Sequence, residues 1–85
     1  MSQKLSGAQI RAGRALIRWS AAELAQASSL GANTIRRAEV SDGETSLTVA
    51  NDQAIRRALE SAGVDFIDED ENGVGPGVRL RMARS

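Results

Sequence analysis

The side chains best suited to directed polar contacts in this sequence are an amide and two adjacent guanidiniums, Asn33, Arg36 and Arg37. A guanidinium donates paired hydrogen bonds from a planar fork, which matches carboxylates, phosphates and the O6/N7 edge of guanine. An amide both donates and accepts, as the edge of adenine requires. On a helix these three positions fall at i, i+3 and i+4 and share a face. A second concentration is acidic: Asp65, Asp68, Glu69, Asp70 and Glu71. Calcium needs a regular ligand loop with glycine at its centre. This run has a different spacing and reads as an acidic loop, with no metal expected. The chain contains no His and no Cys, which removes the usual general base, the commonest metal ligand and any disulfide. Zinc hydrolysis and Ser-His-Asp chemistry are excluded on composition. With no catalytic constellation left, neither an enzyme activity nor a cofactor is expected.

The elements that position these groups are short. The chain has 85 residues, enough for one domain. Ser6 is a good N-cap for a first helix running to about Arg18, with Ile10, Gly13, Arg14 and Ile17 on one face and Arg11 and Arg18 off it. Trp19 follows and closes over the core. Ser20-Ala21-Ala22-Glu23 is a capping box that starts a second helix through about Ala27, with Leu24 and Ala25 inward. Ser28-Ser29-Leu30-Gly31 breaks it. A third helix runs from about Ala32 to Val40, capped at Gly31, with Ile35 and Ala38 inward and Asn33, Arg36 and Arg37 outward. Ser41 to Ser46 reads as an acidic, flexible loop. Thr48 caps a fourth helix reaching Ala62, with Ile55, Leu59 and Ala62 as its stripe and Gly63 ending it. Arg56-Arg57 on that helix reads as a solvated face. Val64–Ile67 and Val78–Met82 read as strands joined by a loop from Asp68 to Gly77. The expected architecture is mainly α: residues 1–63 form a bundle of about four helices, and residues 64–85 a C-terminal strand pair within the same domain.

Two short helices joined by a tight turn are the helix-turn-helix signature. Small Ala25 allows a close crossing, and Ile35 fills the angle between the helices. In this motif the second helix enters the major groove of duplex DNA and the first crosses the backbone. The stretch from Ile10 to Ala25 and the stretch Asn33-Thr34-Ile35-Arg36-Arg37-Ala38-Glu39 resemble the Cro/phage-repressor (XRE) family of transcriptional regulators. The ending Ala58 to Phe66, followed by Gly75-Pro76-Gly77-Val78-Arg79-Leu80-Arg81, resembles a compact single-domain bacterial subgroup. The resemblance implies a lambda-repressor-like bundle and a regulator acting by operator occupancy. It places base contacts at Ala32, Asn33, Arg36 and Arg37, and phosphate contacts at Ser20, Gly31, Thr34, Arg11, Arg18 and Lys4. It also implies an ion pair between Arg14 and Glu39 that ties the first helix to the third. The chain departs from the family pattern at Ala21 (often Gln), Ser28 (usually apolar), Ser29 (usually Gly), Asp42 and Glu44 (often basic) and Asp52 (often apolar).

Formal net charge is zero, but unevenly spread. Residues 1–40 carry Lys4, Arg11, Arg14, Arg18, Arg36 and Arg37 against Glu23 and Glu39, a net +4; residues 41–85 carry five Arg against nine carboxylates, a net −4. A cationic first half suits duplex DNA, and the Val78–Met82 strand suits pairing across a two-fold axis to make a homodimer. The rival reading is a protein-interaction or antitoxin-like accessory module, whose acidic half binds a protein partner. No apolar run approaches the ~20 residues of a membrane span, so no membrane association is expected and the expected compartment is the cytoplasm.

Overall fold

Two serine capping boxes set where the first two helices begin. Ser6 Oγ accepts from the Gln9 amide at 3.0 Å while Gln9 Oε1 accepts from the Ser6 amide at 2.9 Å. Ser20 and Glu23 repeat the exchange at 3.1 and 2.8 Å. The computed structural model describes residues 4–81, in the order α1 (Gly7–Ile17), α2 (Ala21–Ser28), α3 (Ala32–Val40), α4 (Val49–Ser61), β1 (Val64–Ile67) and β2 (Gly77–Leu80). The domain is mainly α, four helices and a short antiparallel hairpin. Met82, placed in the second strand by its alternation, lies outside the described residues.

Helices α1 and α2 end on non-glycine residues in the left-handed region. Arg18 has φ 59° and Ser29 has φ 59°. In both places a 6→1 backbone bond closes the turn: Trp19 N–H to Arg14 O at 3.0 Å, and Leu30 N–H to Ala25 O at 2.9 Å. The left-handed strain expected at Ser29 is therefore present. Ser28, a polar residue where an apolar one was expected, is buried and donates its hydroxyl to Leu24 O at 2.7 Å. α4 stops at Ser61, one residue short of the expected Ala62, which becomes its cap, and Gly63 follows at φ 104°.

Leu5, Ile10, Leu24, Ile35, Ile55, Leu59 and Val64 are fully buried and make the centre of the core. They come from every helix, from β1 and from the segment before α1. The hairpin registers Val64 on Leu80 and Phe66 on Val78. Those side chains share one face and pack against the core, while Asp65 and Arg79 pair on the other face. Arg56 corrects an expectation: its guanidinium lies over the Phe66 ring, 5.1 Å from the centroid, so it covers the hairpin and is not simply solvated.

The loop after α3 also differs from expectation. Expected as flexible, residues 41–46 run back along the segment before α1. Ser6 and Glu44 form an antiparallel bridge, the Thr45 amide donates to Leu5 O at 3.2 Å, and the Gly7 amide donates to Gly43 O at 2.9 Å. Asp52, buried in α4, accepts from the Leu5 amide at 3.0 Å and satisfies a donor that the core would otherwise strand. α1 begins so close to the end of α3 that a Cβ on Gly7 would lie 1.7 Å from Ser41 O and 2.6 Å from Ala38 O, both backbone atoms. Gly7→Ala is thus predicted to cost about 2 kcal/mol or more and to lower the melting temperature sharply. Gly43→Ala, whose Cβ would meet nothing nearer than 4.0 Å, is expected to stay within about 0.5 kcal/mol of the parent.

Candidate nucleic-acid interface

α3 is anchored through its buried Ile35 and Ala38, and one seam along α1 sets its direction. Arg14 forms a forked ion pair with Glu39, Nε to Oε2 at 2.6 Å and Nη2 to Oε1 at 2.8 Å, and its Nη1 donates to Trp19 O at 2.8 Å. One guanidinium thereby joins α1, the start of the α2 segment and α3. Both partners are largely buried, with side chains 21% and 10% exposed. The hydrogen bond to Glu39 and its negative charge raise the Arg14 pKa against the opposing effect of burial. A raised cationic pKa makes the Arg14 contribution fully present below the ordinary arginine range, and that contribution is lost as the pH rises into strong alkali.

The opposite side of α3 is open. Asn33, Arg36 and Arg37 are exposed, and Ala32 and Thr34 are half-buried at its first turn. Arg36 Nη1 donates to Asn33 Oδ1 at 3.1 Å. Among the described residues the Arg37 side chain has neither a hydrogen bond nor an ion pair, and the same holds for the exposed Arg18 side chain just past α1. Gly31 caps α3 with no side-chain bond; the Thr34 amide donates to Gly31 O at 3.0 Å, and the Ala32 and Asn33 amides before it have no acceptor among the described residues. Exposed Ser20 caps α2.

Two residues expected near phosphate also bond within the protein. Lys4 Nζ donates to the carbonyls of Thr45 and Leu47, and Lys4 sits in a hollow with Asp42, Glu44 and Glu69. Arg11 pairs with Asp42 and donates to Glu39 O. Part of the donor set of each is therefore engaged within the protein. Conversely, a shallow groove beside α3 brings Thr34 and Arg37 together with Ser46, Leu47, Thr48 and Asn51. The fourth-helix cap was legible at Thr48. Its position beside Arg37 depends on the folded-back loop and had no local signal.

Among the described residues no cluster of acidic side chains is placed to hold a metal ion, and no helix is long and apolar enough to cross a membrane. No protein-family model matches this chain, and no curated protein does.

Two stability outcomes follow from the seam and the turn. Glu39→Ala leaves the Arg14 fork half-buried without its partner. It should cost about 2–3 kcal/mol, below the ~3–5 kcal/mol of a fully buried pair, read as a fall of roughly 10 °C in a thermal melt. An unchanged melt would remove the pair as a determinant of α3. Ser29→Gly relieves the left-handed strain and is expected to stabilise by about 1 kcal/mol; a loss of stability would show that the serine contributes more than its backbone strain costs.

Proposed function

We propose that this chain is a transcriptional regulator of the Cro/phage-repressor (XRE) type that binds duplex DNA sequence-specifically, with α3 in the major groove. The observation that carries the reading is the state of the cations. On the open face of α3 Arg37 has no partner among the described residues, and Asn33 and Arg36 bond only each other. The nearby carboxylates of the first half are occupied elsewhere, Glu39 with Arg14 and Glu23 with its own cap. A cationic face left uncompensated beside a helix-turn-helix crossing fits a helix that meets base edges.

In this reading Ala32, Asn33, Arg36 and Arg37 face the bases. The amides after Gly31, the Thr34 side chain, the Ser20 cap and Arg18 face phosphates. Phosphate contacts set register and base contacts choose sequence. The protein acts by occupying its operator, and two copies bind together through the hairpin. Among the described residues β2 pairs with β1 alone; in this reading its other edge extends the sheet across a two-fold axis. Two recognition helices about 34 Å apart would then meet successive major grooves.

A second reading is favoured by the hollow where Asp42, Glu44 and Glu69 gather around Lys4: a module whose acidic side takes a basic protein partner. Selection from a random duplex library at roughly physiological salt separates the two. Enrichment of a palindrome with half-sites about 10 base pairs apart is the expected result. No duplex binding even at low salt would sink the DNA reading and leave the acidic partner site. For the enriched site, Arg37→Ala should cost about 1–3 kcal/mol and relax preference at one position. Arg57→Ala, on the exposed side of α4, should change neither. Equal losses from both would mean charge-driven binding without readout.

A further inference from the structure

Asn33 and Arg36 form one unit. The guanidinium donates to the amide oxygen at 3.1 Å, so the carbonyl that Asn33 would offer to a ligand already accepts from a cation. The amide nitrogen of Asn33 has no partner among the described residues. Arg37, the next residue along, contributes further unengaged donors. The carboxylate nearest in sequence, Glu39, turns both oxygens to Arg14 at 2.6 and 2.8 Å. The outward side chains of this stretch therefore present donors and positive charge, with no free carboxylate among them.

Base edges in the major groove differ in what they ask of such a face. Guanine shows two acceptors, N7 and O6, and no donor. Adenine and cytosine each present an amino group. An amide reads adenine by donating to N7 while its oxygen accepts from the amino group at N6. At Asn33 that oxygen is held by Arg36, and the positive charge beside it opposes the approach of an amino hydrogen. Guanine meets no such opposition, because both its acceptors are attracted by the same charge.

Building on the DNA-binding reading above, we propose that α3 reads acceptor edges: Asn33, held by Arg36, selects guanine over adenine at its position, and Arg37 reads a second guanine. Arg36 acts here as a positioning residue that sets the specificity of its neighbour. The structural role of the unit is small, since both side chains are exposed, so variants at either position are expected to melt with the parent.

The test is selection from a random duplex library with the parent, Asn33→Ala and Arg36→Met, each checked by thermal melting. The position whose preference disappears in Asn33→Ala is the one Asn33 reads. The parent should select guanine there over adenine by about ten-fold, the lower part of the discrimination of a paired contact. Arg36→Met frees the amide oxygen, so preference at that position should move to adenine while guanine is kept where Arg37 reads. Adenine in the parent, guanine retained in Arg36→Met, or no position altered by Asn33→Ala would each overturn the proposal while leaving DNA binding in place. A folded parent that enriches no duplex removes the DNA-binding reading itself, a result separable from these because no base preference is then seen at any position.

Discussion

α3 is held along one face and left open along the other, and the rest of the molecule is arranged around that asymmetry. The holding is done along α1. Gly7 meets the carbonyls of Ala38 and Ser41, Arg11 bonds the Glu39 carbonyl, and Arg14 grips the Glu39 carboxylate. These contacts lie at positions 7, 11 and 14 of one helix, the spacing that keeps side chains on a single stripe. Desolvation offsets much of the attraction in a pair as buried as Arg14 and Glu39. Its larger effect is on geometry: a two-bond fork, with a third bond to Trp19 O, fixes the direction of α3 as well as its distance. A recognition element needs that, because paired hydrogen bonds to a base edge fail with small misplacement.

Internal pairing also changes what the net charge means. A formal charge of zero would argue against a nucleic-acid partner if charges were spread evenly. They are sorted. Asp42 is matched to Arg11 and Asp65 to Arg79 and Arg81, whereas Arg18 and Arg37 have no partner among the described residues. Exposed charges separated by more than about 8 Å are largely screened at physiological salt. The field met by a ligand at α3 is accordingly that of its own neighbours and not that of the whole chain.

What was legible in the sequence is what local physics determines. The Ser20–Glu23 box, the turn at Ser29, the stop at Gly63 and the alternation of β1 and β2 each declare themselves within a few residues. The outward set of α3 follows from the burial of Ile35 and Ala38 by helical periodicity alone. The features that escaped are long-range. Nothing near Leu5 announces that its amide meets Asp52, 47 positions later. Nothing near Glu44 announces a bridge to Ser6. The loop at 41–46 has the composition of a flexible connector, and backbone pairing, which composition does not encode, makes it a fixed wall. Arg56 and Arg57 look alike in sequence, yet only Arg56 lies on the helix side that reaches Phe66.

The departures from the pattern that the sequence resembles share a physical logic. Ser28 returns its hydroxyl to the Leu24 and Ala25 carbonyls. Asp52 takes up the Leu5 amide. Asp42 binds Arg11, and Lys4 binds carbonyls of the wall that Asp42 begins. Ser28, Asp52 and Asp42 are thus satisfied from within, which is why a core containing a buried carboxylate can still close. The same bonds have a consequence for binding. Arg11 and Lys4 spend some of their donors inside the protein, and Ala21 offers no polar group. Under the proposed function, one copy would then hold DNA by few backbone contacts, and affinity falls steeply when few phosphates are neutralised. In the same proposal a second copy tethered through the hairpin would restore what one face lacks, because the second helix would then bind at a high effective concentration. The internal bonds of Lys4 and Arg11 and, among the described residues, the pairing of β2 with β1 alone thus belong to one argument: under the proposed function, a second copy adds the phosphate contacts that one face has in short supply.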